Sequence, residues 1–406
     1  MKRILILGGA LHQIYIIQKA KAMGLYVITC DYLPGNPGHA YADEYYNIST
    51  TEPELVLELA KKLKVDGVIC YGSDVSAKTA AYVCEALGLP TNPLKAVEIL
   101  TRKDLFREYL QNNSFHTPKA HSFFTYEQAC EIVSVMEYPV IVKPVDSSGS
   151  KGVNKISSKE EGQQCLNQCV EDALRYSKEK KGIIEQYIER KGSQISGDIF
   201  VVNRKIVFWS FGNEYYSSLD IKEYVPIGEY WPLEHDEETE KKLIEELQKL
   251  ISRLEFQMGE CNVEAIVDEK GQVYIIELGP RSGGSLIPQL IQYTTGVDLL
   301  DYIVLSALGE DCTRLSQTKS NGFWANYNIP AAEDGILEEV WIEPEFKKKH
   351  VVEFVTEYRK GDSVKKFENG SDAVGLVIMM FRNKQEMRYY LENITTYIWV
   401  KISENI

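Results

Sequence analysis

Apolar and polar positions over residues 1–93 alternate between runs of four or five apolar residues and longer helical stretches. Ile4–Leu7 is a continuous apolar run closed by Gly8-Gly9, as in a short strand buried on both faces. Helical spacing follows through Ile14, Ile17 and Ala20, and Tyr26–Cys30 is a second strand. Thr51-Glu52-Pro53-Glu54 reads as a helix start, Gly67–Cys70 as another strand, and Lys78–Leu87 as a helix stopped by Gly88-Leu89-Pro90. Strands alternating with helices predict an open parallel α/β sheet.

The pattern changes near Thr91. Residues 94–112 read as helical, with a cap at Thr101. Thr125-x-x-Gln128 and Ser158-x-x-Glu161 are capping boxes that open two more helices. Between them lie the strand Pro139–Val145, a small-residue loop from Asp146 to Gly152, and the strand Val153–Ile156. Ile183–Ile188 and Ile199–Ser210 read as further strands, and Glu237–Leu254 as an amphipathic helix. Residues 261–267 and 273–278 form a hairpin about the polar turn 268–272. Residues 310–321 read as a connector, Ala373–Phe381 as strand and Lys384–Leu391 as helix. The fold class is therefore α/β, an N-terminal open parallel domain followed by a two-lobed α+β module and a C-terminal α+β lobe. The expected divisions are 1–93, 94–184, 185–309 and 310–406.

A chain of 406 residues is long enough for two to four domains. Its net charge of −14 argues against nucleic acid or an anionic membrane surface as partner, since phosphate backbones require a basic face. No run approaches the roughly 20 apolar residues of a membrane span. The N-terminus superficially resembles a signal peptide, but its apolar run is broken by Gly8-Gly9, and it reads better as a buried strand. Eight scattered cysteines without a C-x-x-C pair fit structural thiols in a reducing cytoplasm, with zinc a poor second. His12 is the one histidine near a plausible pocket, and a solvated loop residue is its plainer reading. Gly8-Gly9-Ala10 is not the dinucleotide fingerprint.

Chemistry concentrates in the hairpin. With its turn centred between Lys270 and Gly271, Glu264 sits opposite Glu277, about 5 Å apart at Cβ. Facing carboxylates repel unless a cation lies between them, and Mg²⁺ prefers such oxygens together with substrate phosphates. Arg281 and a Gly/Ser-rich segment follow, supplying a guanidinium and backbone N–H groups for an anion. The competing reading is two exposed carboxylates in a slipped register. The 147–152 loop is either a phosphate cradle of backbone N–H groups or a plain turn; it is not a P-loop. Lys143 is a solvated sheet lysine or a phosphate contact beside that loop. Lys103 opposes the dipole of its helix, a small cost that a bound anion offsets. The apolar segment 183–188 could offer adenine its donor–acceptor edge.

Taken in order, RKDLFREYL, YPVIVKPVDSSGSKGV, IIEQYIERKGSQISGD and MGECNVEAIVDEKGQVYIIELGPRSGG resemble the ATP-grasp superfamily. The similarity is to its carboxylate–amine ligases and to its biotin carboxylase and carbamoyl phosphate synthase-like branch. The resemblance implies a pre-ATP-grasp domain at 1–93, a small lobe at 94–184, a metal-bearing large lobe at 185–309 and a C-terminal lobe at 310–406. It implies that Lys103 and Lys143 contact ATP phosphates, with Lys143 and Arg281 catalytic, and that Ser148, Gly149, Ser150 and Gly152 belong to a mobile phosphate-covering loop. Glu185 and the backbone of Tyr187 and Ile188 would hold adenine, and Gln194 would stand at the ribose, where relatives carry an acid. Glu264 and Glu277 would ligate Mg²⁺, one ion or two, with Mn²⁺ able to substitute. Gly279 stands where such chains usually have Asn, and Asn262, opposite it in register, is a candidate substitute. The implied activity is cytoplasmic: ATP activates a carboxylate as an acyl phosphate, which an amine attacks. Its partners would be small-molecule carboxylates and amines, with a homodimer open as the assembly. A carboxylase working through carboxyphosphate and a non-catalytic ATP-binding protein are the alternatives. Glu214, Glu223 and Glu229, in the Tyr-rich stretch Phe211–Pro232, would favour a cationic or amino-bearing acceptor.

Overall fold

A computed structural model describes residues 1–216 and 224–403. The N-terminal sheet is parallel, in the order Glu44–Tyr46, Tyr26–Cys30, Arg3–Leu7, Gly67–Cys70. Its apolar strands are buried on both faces, as their unbroken Ile, Leu and Val runs require. The strand order reverses at Arg3–Leu7, and the loops leaving Leu7 and Cys70 diverge there to open a crevice. Buried Gln13 closes that corner, its amide donating to the Leu7 and Tyr71 carbonyls at 3.0 and 3.2 Å.

Two antiparallel sheets follow. The smaller runs Ala120–Phe123, Gly182–Gln186, Val140–Pro144, Asn154–Ile156. Helices Tyr126–Val135 and Lys159–Tyr176 pack on it, and both begin where the capping boxes place them: Thr125 accepts from the Gln128 N–H, and Ser158 from the Glu161 N–H. The larger sheet has eight strands, in the order Val273–Gly279, Met258–Val267, Ile195–Val202, Lys205–Tyr216, Pro226–Trp231, Phe323–Ile329, Gly375–Phe381, Val351–Val355. Its C-terminal three strands thus continue the sheet begun by the central segment. A three-stranded sheet of Ser363–Val364, Gly335–Ile342 and Ile398–Ser403 lies beyond. One core joins helix Ile14–Ala22 to the large sheet and to helices Ile287–Thr295 and Leu299–Ala307. Among the described residues no helix is long and apolar enough to cross a membrane.

Several local expectations need correction. Ile199–Ser210 is not one strand but the middle of a hairpin. Asn203 and Arg204, both at positive φ (51° and 65°), make its two-residue turn, the geometry that matches strand twist. The helix over 94–112 is broken at Arg102 into Leu94–Thr101 and Lys103–Asn112. Thr101 does not cap the second helix; its hydroxyl donates back to the Val97 carbonyl at 2.8 Å. The strand expected over Ile183–Ile188 runs from Gly182 to Gln186, so Tyr187 and Ile188 lie past its end. Glu223 lies outside the described residues.

Candidate active site

Asp268 organises the hairpin turn, its carboxylate accepting from the Lys270 and Gln272 N–H groups at 2.9 and 2.8 Å. From the turn outward the register runs Val267↔Val273, Ile266↔Tyr274, Ala265↔Ile275 and then Glu264↔Glu277. Ile276 is therefore an extra residue on its strand. Without this bulge Glu264 would face Ile276; with it, the two carboxylates oppose each other and Asn262 falls opposite Gly279. Burial first, then the charges of Glu277 and Glu214, push the Glu264 carboxyl up to about 8. The pair is thus electrostatically unfavourable on its own and suited to a cation.

Lys103 supplies one. Its helix starts at that residue, and its ammonium lies 3.3 Å from Glu277 Oε2 and donates to the Ser147 carbonyl at 2.8 Å. Burial disfavours the charge, but Glu277, Asp74 and Glu264 outweigh it and hold the lysine above its ordinary value. Lys103 therefore ties the acidic hairpin to the 146–152 loop. In that loop Gly149, Ser150 and Gly152 all have positive φ, 65°, 61° and 69°. Ser148, Gly149 and Ser150 line a cleft of about 550 Å³ between the sheets. Gly152 does not line it; it packs on the far side against Tyr176. The Gly149 carbonyl accepts from the Gly370 N–H at 3.2 Å, so the loop touches the C-terminal segment.

Lys143 is buried, which excludes a solvated sheet lysine. Its ammonium lies 2.7 Å from Glu185 Oε2. Arg107, which the sequence did not single out, donates to the same oxygen from Nη2 at 3.2 Å and places Nε 3.0 Å from Oε1. Burial alone would raise the Glu185 carboxyl, but Arg107 and Lys143 reverse it and hold it near 2. Burial, with the charges of Arg107 and Lys103, lowers the Lys143 ammonium despite Glu185. Beyond this cluster Tyr187 and Ile188 line the cleft. The Tyr187 N–H is spent on the Pro139 carbonyl at 3.0 Å. The Tyr187 carbonyl and the Ile188 N–H have no partner among the described residues, which leaves an acceptor and a donor side by side.

Arg281 is buried and clamped by a residue the sequence analysis also missed. Its Nε and Nη2 donate to the two oxygens of Asp74 at 2.8 and 2.6 Å, and Nη1 donates to the Ser282 carbonyl at 2.8 Å. Asp74 opens the helix Asp74–Leu87 at the carboxyl edge of the parallel sheet. A Cβ on Gly279 would lie 3.1 Å from Asp74 Oδ1 and 3.3 Å from the Arg281 guanidinium carbon. The residue at 279 thus leaves room for the clamp. Asn262 spends its amide N–H groups on the Gly197 carbonyl and on Asp198, at 3.1 and 3.0 Å. Gln194 bridges Glu214 and Glu264, donating to them at 3.0 and 3.4 Å.

His12 is not solvated. It lies half-buried in the cleft wall, stacked over Tyr71 with ring centroids 6.5 Å apart, and its buried Nε2 has no partner. Burial and then Arg281 lower it to about 4, so it stays neutral at pH 7. Glu214 and Glu229 also line the cleft, directly opposite each other on neighbouring strands.

Among the described residues no group of three His, Cys, Asp or Glu is arranged to hold a metal. Two carboxylates facing each other across one cleft still fit Mg²⁺ bound jointly with substrate phosphates, which needs only one or two protein carboxylates.

Residues 101–285 match the family model of the ATP-grasp domain. An uncharacterised protein of Sinorhizobium fredii, y4rH, is 23% identical over 307 residues, 73% of this chain and 60% of that protein. The carbamoyl phosphate synthase large chain of Caldanaerobacter subterraneus is 25% identical over 303 residues, 72% of this chain and 27% of that one. The chain thus spans 60% and 27% of these relatives' lengths, less than two thirds of either. Two solved structures share its fold along their whole length. The L-amino acid ligase of Bacillus licheniformis has a TM-score of 0.83 at 20% identity, with 100% of this chain and 99% of that one covered. The phosphoribosylglycinamide synthetase of Anaerococcus prevotii has 0.76 at 24%, covering 99% and 100%. The segment that carries Lys103, Lys143, the small-residue loop, the Glu264–Glu277 pair and Arg281 belongs to the ATP-grasp family.

Proposed function

We propose that this protein is a cytoplasmic ATP-dependent ligase that activates a carboxylate as an acyl phosphate and joins it to an amine. The observation that carries the reading is the bulged register that sets Glu264 against Glu277, with Lys103 reaching from there to the 146–152 loop. Adenine would take the Tyr187 carbonyl and Ile188 N–H beside the Glu185 cluster. Lys143 and Lys103 would lie along the phosphates, and Ser148, Gly149 and Ser150 would close over them with backbone N–H groups. Gln194 would stand at the ribose. Glu264 and Glu277 would hold Mg²⁺, which neutralises phosphate charge when bound.

In the first step a carboxylate oxygen of the substrate attacks the γ-phosphorus, the bond to the β-phosphate oxygen breaks, and ADP leaves. Arg281, fixed by Asp74, would stabilise charge on the transferred group. In the second step the ammonium gives one proton to solvent, the free amine nitrogen attacks the acyl carbon, the bond from that carbon to the phosphate oxygen breaks, and phosphate leaves as the nitrogen releases its second proton to solvent. Loop closure would keep water from the acyl phosphate. Neither step needs a protein nucleophile. The likeness in fold to an L-amino acid ligase supports this reading. The carbamoyl phosphate synthase similarity favours bicarbonate as the activated acid in a second reading.

The test is ADP release from Mg-ATP across a matrix of carboxylic acids, bicarbonate, amines and ammonia. Turnover that needs one acid–amine pair and disappears in Glu277→Ala is the expected result. Turnover with bicarbonate supports the second reading. Turnover that persists in Glu277→Ala removes the site assignment.

A further inference from the structure

The cleft contains a second pair of opposed carboxylates besides Glu264 and Glu277. Glu214 and Glu229 are directly paired across two antiparallel strands, 5% and 8% exposed. Facing acids on one ladder are unfavourable, and burial compounds it. The first pair has Lys103 against it. The second has no ion pair among the described residues. Arg190 acts on Glu214 only at a distance, its guanidinium stacked on the Tyr216 ring 4.1 Å from the centroid.

The hydrogen bonds around this pair are also incomplete, and always on the acceptor side. Glu214 accepts from the Tyr216 hydroxyl and from Gln194. Glu229 Oε2 is buried with no donor. Asn328, 5% exposed on the neighbouring strand Phe323–Ile329, likewise has an unpartnered Oδ1 and lines the cleft. Asn326, two residues earlier, shows how such a side chain is normally spent: its oxygen accepts from the Glu229 N–H and its nitrogen donates to the Ser285 carbonyl at 2.7 Å. Buried acceptors without donors are rare in folded proteins and cost free energy unless a ligand supplies hydrogens. An ammonium group is all donor and carries the opposite charge. The adjoining wall holds Tyr216, Tyr224 and Pro226, an apolar and aromatic surface suited to the body of an organic cation.

We propose that Glu214, Glu229 and Asn328 form an ammonium subsite, so that the amine substrate is an organic primary ammonium ion in solution, such as an alkylamine or an α-amino group, rather than ammonia or an aromatic amine. The step that consumes the amine rests on the ligase reading above; its binding does not. The test measures binding alone, by ligand-observed NMR on the full chain, with n-propylammonium and its neutral counterpart n-propanol as probes. Saturable binding of n-propylammonium, at least tenfold tighter than n-propanol, is expected. It should weaken at least tenfold in Glu229→Gln and in Glu214→Gln and persist in Glu277→Ala. Thermal melting of each variant confirms that it is folded, and Asn328→Leu is the alternative if either glutamine variant is not. Equal binding of the two probes, no binding of the cation, affinity unchanged by these substitutions, or stoichiometric displacement of the cation by Mg²⁺ overturns the proposal. Loss of ADP release with ammonium binding intact faults only the ligase reading.

Discussion

Glu185 is buried between Arg107 and Lys143, and these two cations keep its carboxyl near 2 against an ordinary value of 4.5. A depressed carboxyl contributes stability above its unfolded value, and that contribution is lost as pH falls from about 4.5 toward 2. Glu185→Gln leaves two buried cations without their partner and should cost about 3–5 kcal/mol at pH 7 by urea unfolding. It should also flatten the loss of stability over that acidic window. A change under about 1 kcal/mol at pH 7 contradicts the role assigned to the cluster. At Gly279 the prediction concerns space. An asparagine there places its Cβ against Asp74 and Arg281, so Gly279→Asn should loosen the clamp and lower kcat, by as much as ~10²-fold if the guanidinium moves an ångström. Unchanged turnover would show that the clamp can shift freely. The facing of the two hairpin acids was legible from a local pattern, whereas Lys103 and Lys143 were singled out chiefly by the resemblance of their segments to the ATP-grasp motifs. Asp74 and Arg107 were not: their partners are 207 and 78 residues away in the chain, and no local pattern marks them. His12 was misread because a glycine turn suggests solvent, whereas here it folds into the cleft wall.

The elements most legible in advance were those whose ends carry their own chemistry. The Thr125 and Ser158 caps fixed two helix starts, and the 268–272 turn fixed where the hairpin folds back. Centring the turn on Lys270-Gly271 arrived at the right pairing although the first rungs follow a different register; the bulge at Ile276 makes up the one-residue difference. The Asn203-Arg204 turn was hidden in an apolar run because neither residue is glycine. The 146–152 loop yields a prediction at this scale. At Gly149 an added Cβ meets open space, so Gly149→Ala should cost only its left-handed backbone, roughly 1–2 kcal/mol. At Gly152 the Cβ would also lie 2.9 Å from the Tyr176 ring and 3.0 Å from the Asp172 carbonyl, so Gly152→Ala should cost clearly more. Thermal or urea unfolding of the two variants checks this ranking. Equal losses would mean that the helix Lys159–Tyr176 yields without cost.

At the scale of the whole molecule the cleft is a junction. The reversal point of the parallel sheet delivers His12 and Asp74, the smaller antiparallel sheet delivers Lys143 and Glu185, and the eight-stranded sheet delivers both carboxylate pairs. The alternation of strands and helices made the parallel sheet legible. The strand Gly375–Phe381 was legible as a strand, but the place of the C-terminal strands in the large sheet was not, because Phe323–Ile329 joins it by pairing with Pro226–Trp231, almost a hundred residues earlier, and that pairing leaves no periodic trace in sequence. Because the acids and cations of the cleft come from three sheets, nucleotide binding should tighten their mutual fit and raise the melting temperature with the logarithm of free ligand concentration above Kd. The direct test is calorimetric titration of a non-hydrolysable Mg-ATP analogue into the wild-type chain and into the Glu264→Ala, Glu277→Ala double variant, with and without Mg²⁺. One Mg²⁺-dependent site per chain, lost in the double variant and weakened in Lys103→Met, is the predicted result. No nucleotide binding by the wild type, or binding of equal affinity in the double variant, would contradict the assignment of the hairpin as the magnesium–nucleotide site.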